Sequence, residues 1–374
     1  MRCRMFVSTG NYVEHRSDSA SRSVYYTFTP RPLMEGSFYS LDDELSHLLV
    51  AAHRSLGMLE GMSLYLTDKE ILQELLLLKE IHYSRIIDYS DPDFYSLLVD
   101  RGTSKDIHAT KNIASAYLHA FEKKSGLANL DDIYDLALHG PDSKQKVYIR
   151  TKPFFMTKAT SNFRLYNPTS PENIRPAMND MTKFLDNDPS DVLIKSALIH
   201  YQFEMIHPYE CYNGIIGRLL IFKLLHDAGL EAVRYLSLSE LFYNNKSEYM
   251  GKLTSTQKSG DYLLWIKFIL HAIHQAAQRS IEQIKNYEQI VRLDEAKIIA
   301  YGATNSSTLE VYHYFKKNLI SGIKQPSEHL QMAYNTVAKS ISVLHSLGIL
   351  TQVSVGSRNR IFACSELSKI FLDI

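Results

Sequence analysis

The spacing of apolar and polar positions predicts a chain built mostly of helices. In Val192–Ile206 apolar side chains recur at steps of three and four, and the run beginning at Leu219 repeats the pattern until Gly229 supplies a stop. Between them lies His207-Pro-Tyr-Glu-Cys-Tyr-Asn-Gly-Ile-Ile-Gly-Arg218, which reads as helix, tight loop, helix. Upstream, residues 1–40 read as an irregular arm that packs through Tyr25, Tyr26 and Phe28. A helix is expected over Leu41–Leu59, capped by Ser40, with Asp42, Asp43 and Glu44 in its first turn and Gly57 and Gly61 at its end. A second is expected over Asp68–Ile87 after the cap Thr67, and further helical pattern covers 107–138. Lys146–Arg150 alternates as a strand, and Asn162–Tyr166 returns beside it. Pro168, Pro171 and Pro176 then precede a helix over Ala177–Asp186. A helix starts at Ser237 or Ser239, and Asp261–Arg292 forms one or two long closing helices.

After about residue 307 the pattern changes. Leu309–Leu319, Ser327–Ala333 and Asn335–Leu347 read as three short helices, the last capped by Asn335 and stopped by Gly348. Ile349–Val355 and Arg360–Ala363 read as two strands around a turn. The division is thus an arm (1–40), an N-terminal helical region (41–138), a core (139–292) and a C-terminal domain (307–374).

Bulk properties narrow the class of protein. The 374 residues, 45% of them hydrophobic, suffice for a large core, and a formal net charge of +0 gives no general pull toward nucleic acid or membrane. Cys3, Cys211 and Cys364 are odd in number and far apart, so they read as reduced thiols of a cytoplasmic protein, not as disulfides or a metal site. The first residues lack the apolar core of a signal peptide, and no apolar run approaches a membrane span.

The loop carries the chemistry. Backbone N–H groups at a helix N-terminus attract anions, and Gly214 and Gly217 allow close approach. An imidazole with a pKa of about 6.5 is mostly neutral at pH 7 and can take a proton. A base beside an anion cradle suits transfer of a phosphate-containing group.

The same dodecapeptide resembles the signature of the Fic (filamentation induced by cAMP) family: His-Pro-Phe, any residue, Asp/Glu, Gly, Asn, Gly, Arg, two residues, Arg. His207, Pro208, Asn213, Gly214, Gly217 and Arg218 agree, and Tyr209 stands for Phe. The resemblance implies a mainly α Fic-type helical bundle with a small β-hairpin flap at the 146–166 strands. It implies transfer of AMP from ATP to a Ser, Thr or Tyr hydroxyl of a protein substrate, with His207 as general base. Asn213 and the backbone of Gly214, Ile215, Ile216 and Gly217 would hold phosphate, Arg218 would meet the outer phosphates, and Tyr249 and Tyr243 are candidates to wall the adenine. Lys79-Glu-Ile-His-Tyr-Ser84-Arg-Ile-Ile-Asp88 resembles the family's inhibitory helix, with Asp88 facing Arg218 and Ser84 four residues before it.

Three departures qualify this. Cys211 replaces the acid that normally holds Mg²⁺, a hard cation poorly served by a thiol. Tyr212 replaces a glycine, and Ile215 replaces an arginine. A slow enzyme, an enzyme with another donor, and an inactive Fic-like regulator therefore stand beside the adenylyltransferase reading. The last domain resembles a winged helix, whose third helix exposes Asn335, Thr336, Lys339, Ser340 and His345 beside a wing with Arg358 and Arg360, so DNA and a homodimer partner are further expectations.

Overall fold

The computed structural model describes residues 9–16, 24–35, 39–89, 105–122, 124–144, 149–154, 167–302, 306–354, 356 and 359–372. The two strands expected for the flap lie outside these residues except for Ile149 and Arg150, as do Cys3 and Arg358.

The first forty residues hold a hairpin, not an irregular arm. Strand β1 (Gly10–Arg16) pairs antiparallel with β2 (Val24–Pro30), Gly10 opposite Pro30. Both strands are rich in β-branched and aromatic residues, which suit a pleated surface. Phe28 alone of the three expected anchors is buried in the core, and its N–H donates to Asn167 O at 2.9 Å. Tyr26 is half exposed, and Tyr25 stacks on His15 within the hairpin.

Fourteen α-helices make up most of the rest of the described chain. The N-terminal region contains α1 (Asp43–Ser63), α2 (Lys69–Asp88), α3 (Lys105–Glu122) and α4 (Leu130–His139). The cap of α1 is Asp42, whose carboxylate accepts from Leu45 N–H at 2.8 Å; Ser40 is not the cap. Gly57 and Gly61 do not end α1, because nothing crowds their open face and packing along a long partner outweighs their low helix propensity. Likewise α2 follows Asp68, not Thr67.

Helices α5 (Pro171–Asn187), α6 (Val192–Ile206) and α7 (Asn213–Asp227) come next. α6 and α7 are apolar on nearly every side and fully wrapped by neighbours, as such helices must be. A 3₁₀ turn (Glu231–Tyr235) leads to α8 (Leu238–Asn244) and α9 (Lys246–Ser259), and Ser237 precedes α8 as one of the two expected starts. The closing segment is one helix, α10 (Tyr262–Ala300), of 39 residues and so about 58 Å long. It lies along α1 and α6, and Trp265 Nε1 donates to Ala197 O at 2.7 Å inside the core.

The C-terminal elements are α11 (Ser306–Asn318), β3 (Ile320–Ser321), α12 (Lys324–His329), α13 (Tyr334–Ser346), β4 (Leu350–Gln352), β5 (Phe362–Cys364) and α14 (Ser365–Leu372). They build an antiparallel sheet in the order β3-β5-β4. β3 and α14 were not expected: two residues carry too little pattern to read as a strand. The second helix lies three residues before its expected place, and α13 starts at Tyr334 with Ala333 at the cap position.

Trp265→Ala removes a buried ring together with its hydrogen bond to the Ala197 carbonyl. It is expected to cost about 3–5 kcal/mol, read as a lower urea midpoint.

Candidate active site

The site is the turn between α6 and α7. His207 ends α6 with φ 50°, and Tyr212 precedes α7 with φ 58°, so two non-glycine residues sit in the left-handed region. Tyr212 thus occupies the conformation for which glycine is the natural choice. The loop is held by its own side chains. Asn213 Oδ1 accepts from Tyr209 N–H at 2.9 Å, and Asn213 Nδ2 donates to Tyr209 O at 2.8 Å. Both amide atoms are therefore engaged, and Asn213 staples the loop to Tyr209. Tyr209 stacks on Tyr134 at 3.8 Å and donates to Asp131 Oδ1 at 2.7 Å.

His207 is fixed in tautomer. Its Nδ1 lies 3.0 Å from Glu204 O, and a carbonyl can only accept, so Nδ1 carries the proton and Nε2 keeps its lone pair. Burial pulls the ring down to about 4, so it is neutral at physiological pH. Phe154 lies against the ring, with centroids 5.2 Å apart.

Arg150 clamps this turn from the side. Its Nε donates to His207 O at 2.6 Å, Nη2 donates to Ile206 O at 3.2 Å and to Thr169 O, and its own N–H donates to Pro208 O at 3.0 Å. Burial lowers its pKa to about 10, which leaves it charged at neutral pH. Sequence reading took Arg150 only as the end of a strand; a lone arginine there gives no signal of this role.

The first turn of α7 provides the cradle. Ile215 and Ile216 point into the core and offer only backbone. A Cβ on Gly214 would lie 2.3 Å from Asp88 Oδ2, and one on Gly217 would lie 2.4 Å from Glu204 Oε1. Arg218, 1% exposed, donates from Nε to Ser84 Oγ at 2.9 Å and from Nη2 to Ser84 O and Asp88 Oδ2, both at 2.7 Å. Burial alone would lower its pKa, but the Asp88 carboxylate more than reverses that, and the guanidinium stays charged. The structure therefore brings together Ser84, Asp88, Gly214 and Arg218. Aspartate, though short, reaches because its oxygen rests directly on the Gly214 backbone.

Three further residues were not foreseen. Tyr89 Oη accepts from Tyr212 N–H at 2.9 Å, placing a second α2-derived oxygen on the loop. Lys246 Nζ donates to Ile87 O at the end of α2. Glu204 is buried behind Gly217, and burial raises it to about 8 against the pull of Arg218. Its Oε2 lies 3.8 Å from His207 Nδ1, but with His207 neutral this is not an ion pair. A carboxylate inside an otherwise apolar helix was the available signal. Tyr249 is 1% exposed, stacked on Phe242, and bonded through Oη to His200 Nε2 at 2.9 Å. It supports the core beneath α7 and does not face an open adenine pocket; Tyr243, 40% exposed, lies against Tyr83.

Cys211 Sγ lies 3.5 Å from Tyr134 Oη, and no cluster of three metal-ligating side chains exists among the described residues. A thiol beside a phenol does not fit Mg²⁺, which requires oxygen ligands in octahedral order.

Within this helical fold a neutral imidazole, whose Nε2 has no partner among the described residues, lies beside a helix N-terminus, where backbone N–H groups attract anions. Residues 128–225 match the profile of the Fic/DOC family, and the chain carries a Fic/DOC family domain there. It is 23% identical over 189 residues to protein adenylyltransferase fic-1 of Caenorhabditis briggsae and 22% identical over the same length to that of Caenorhabditis elegans. Each alignment covers 49% of this chain and 34% of the relative, so the chain spans about a third of these relatives' length. A Fic family protein from Desulfovibrio desulfuricans G20 shares the fold, with a TM-score of 0.58 and 15% identity over 88% of this chain and 98% of that one.

Two outcomes follow. Arg150→Lys keeps the charge but loses the planar fork, so the turn carbonyls lose donors; a loss of about 2–4 kcal/mol is expected from several buried bonds, measured by urea denaturation. For Glu204 the folded pKa is raised, so its stabilising contribution is complete below the ordinary value of 4.5 and is lost as pH rises toward about 8. Glu204→Gln is therefore expected to show a smaller fall in Tm across that window than the parent chain, checked by thermal melts at both ends.

Proposed function

We propose that this protein is a Fic-type adenylyltransferase, moving AMP from ATP to a hydroxyl of a protein substrate, and that α2 holds it closed. The observation that carries this is the fixed tautomer of His207. With Nδ1–H on Glu204 O, Nε2 is left to accept the target hydroxyl proton. The hydroxyl oxygen then bonds to the α-phosphorus, the bond to the β-phosphate oxygen breaks, and pyrophosphate leaves. The Gly214–Gly217 backbone and Arg218 would hold the phosphates. Because the Cys211 surroundings do not suit Mg²⁺, no step is assigned to a metal.

Closure is supported by the position of Asp88. Its carboxylate takes both the guanidinium and the space at the helix N-terminus that a phosphate needs. Removing one charge-assisted bond of about 1.5–3 kcal/mol changes an equilibrium roughly ten- to a hundredfold. Asp88→Gly is thus expected to raise labelling of protein from α-labelled ATP by about tenfold or more, and adding His207→Ala to abolish it.

The departures at Cys211, Tyr212 and Ile215 favour a second reading, a nucleotide-binding regulator without turnover. ATP binding by Asp88→Gly with no label on any protein would select it and sink the first. For the C-terminal unit, the order helix, strand, helix, helix, strand, strand supports a winged helix. The exposed Asn335, Thr336, Lys339 and His345 on α13 support DNA contact there. Duplex affinity that falls with salt, and falls further in Lys339→Ala, is the expected result in an anisotropy titration.

A further inference from the structure

We propose that the C-terminal unit sets how firmly α2 sits on Arg218, so that whatever engages this unit changes access to the nucleotide site. The inference rests on the reading of α2 as a block and extends it to the block's other end.

Asp68 is the N-cap residue of α2, yet its side chain makes no cap hydrogen bond. An aspartate at that position ordinarily accepts from an N–H of the first turn. Here its carboxylate is turned toward the C-terminal unit. Lys316 Nζ lies 2.9 Å from Oδ1 and 2.8 Å from Oδ2, and Tyr287 Oη donates to Oδ2 at 3.1 Å. The Lys316 and Asp68 side chains are only 7% and 14% exposed, so solvent screens the pair weakly. Lys317 adds a second, exposed pair to Glu74 at 3.2 Å. On the α10 side, Gln283 Nε2 donates to Ile370 O at 3.0 Å, and Phe371 packs edge-on against Tyr287. The unit is therefore seated on α10 and grips the first turns of α2.

The middle of α2 is tied to α8, and also to α3 through Tyr117 Oη, which donates to Glu80 Oε1 at 3.3 Å. Lys79 pairs with Glu240 at 3.1 Å, and Glu80 accepts from Ser239 N–H at 2.8 Å and from its hydroxyl. Both partners belong to α8, so α2 and α8 form one body. A helix of 20 residues is about 30 Å long and stiff, and a tilt at Asp68 displaces Asp88. Asp68 is bound to Lys316 and Tyr287; turning it onto the N–H groups of its own helix, the ordinary N-cap arrangement, would release them. That is the two-state element coupling requires, and coupling runs both ways: a nucleotide that displaces Asp88 loosens the C-terminal unit.

The test uses the full chain without nucleotide. Hydrogen exchange is followed on peptides covering Ser84–Asp88 in the parent, Lys316→Met and Tyr287→Phe; the last removes a single hydroxyl and stays folded if the first does not. Exchange at Ser84–Asp88 is expected to quicken by about fivefold or more in Lys316→Met and by less in Tyr287→Phe. Quickening confined to residues 68–74, or none, overturns the proposal. A parallel titration with ATP compares Lys316→Met, Asp88→Gly and the double variant. A gain in affinity from Lys316→Met that vanishes in the Asp88→Gly background supports coupling through Asp88, and an equal gain in both backgrounds overturns it. If Asp88→Gly itself gains nothing, the nucleotide reading fails, while the exchange result still decides the coupling.

Discussion

Arg218 is a full charge buried in the middle of a helical bundle, and a buried charge must be paired. Its position in the second turn of α7 is fixed by the α6–α7 hairpin, which is buried on almost every side and has no freedom to swing the guanidinium into water. Something anionic must come to it. In this structure the anion is Asp88, with the Ser84 hydroxyl and carbonyl completing the donors' needs. Pairing in a low-dielectric interior is strong only when geometry is good, and losing one partner is costly. The seating of α2 against α7 and the glycine at 214 both follow from that requirement.

The turn between α6 and α7 is an assembly of small constraints around a strained backbone. Left-handed His207 and Tyr212 are unfavourable alone and persist because their surroundings over-determine them. Asn213 staples the loop from within, and Arg150 ties four backbone positions from outside. The consequence for chemistry is orientation. The same turn that ends α6 directs His207 Nδ1 onto Glu204 O, which leaves the other ring nitrogen for a proton.

Much of this was legible in the sequence. Three- and four-residue apolar steps located α6 and most of α2 within a residue or two, the run read from Leu219 belongs to a helix that starts earlier, at Asn213, and the dodecapeptide located the turn. Spacing set Ser84 and Asp88 four residues apart on α2, and the resemblance to an inhibitory helix supplied the expectation that Asp88 meets Arg218. The illegible parts share a cause: they depend on partners far away in sequence. The staple that Asn213 forms with both backbone groups of Tyr209, and the seat of the Tyr249 ring in the Phe242 stack, appear only in the folded chain. Arg150 and Asp68 carry roles that no local pattern encodes. The β1–β2 hairpin was missed because aromatic residues were read as anchors and not as strand formers.

The contact between the Asp88 carboxylate and the Gly214 backbone has a bearing on how such a chain can diverge. An acid one methylene longer at 88 would have to push α2 away, and any side chain at 214 would collide with the acid already present. Gly214 cannot gain a side chain while Asp88 keeps its carboxylate, and residue 88 cannot lengthen while α2 keeps its place. A lineage that opens this site does so by losing the acid on α2, and only then does the cradle on α7 become free to change.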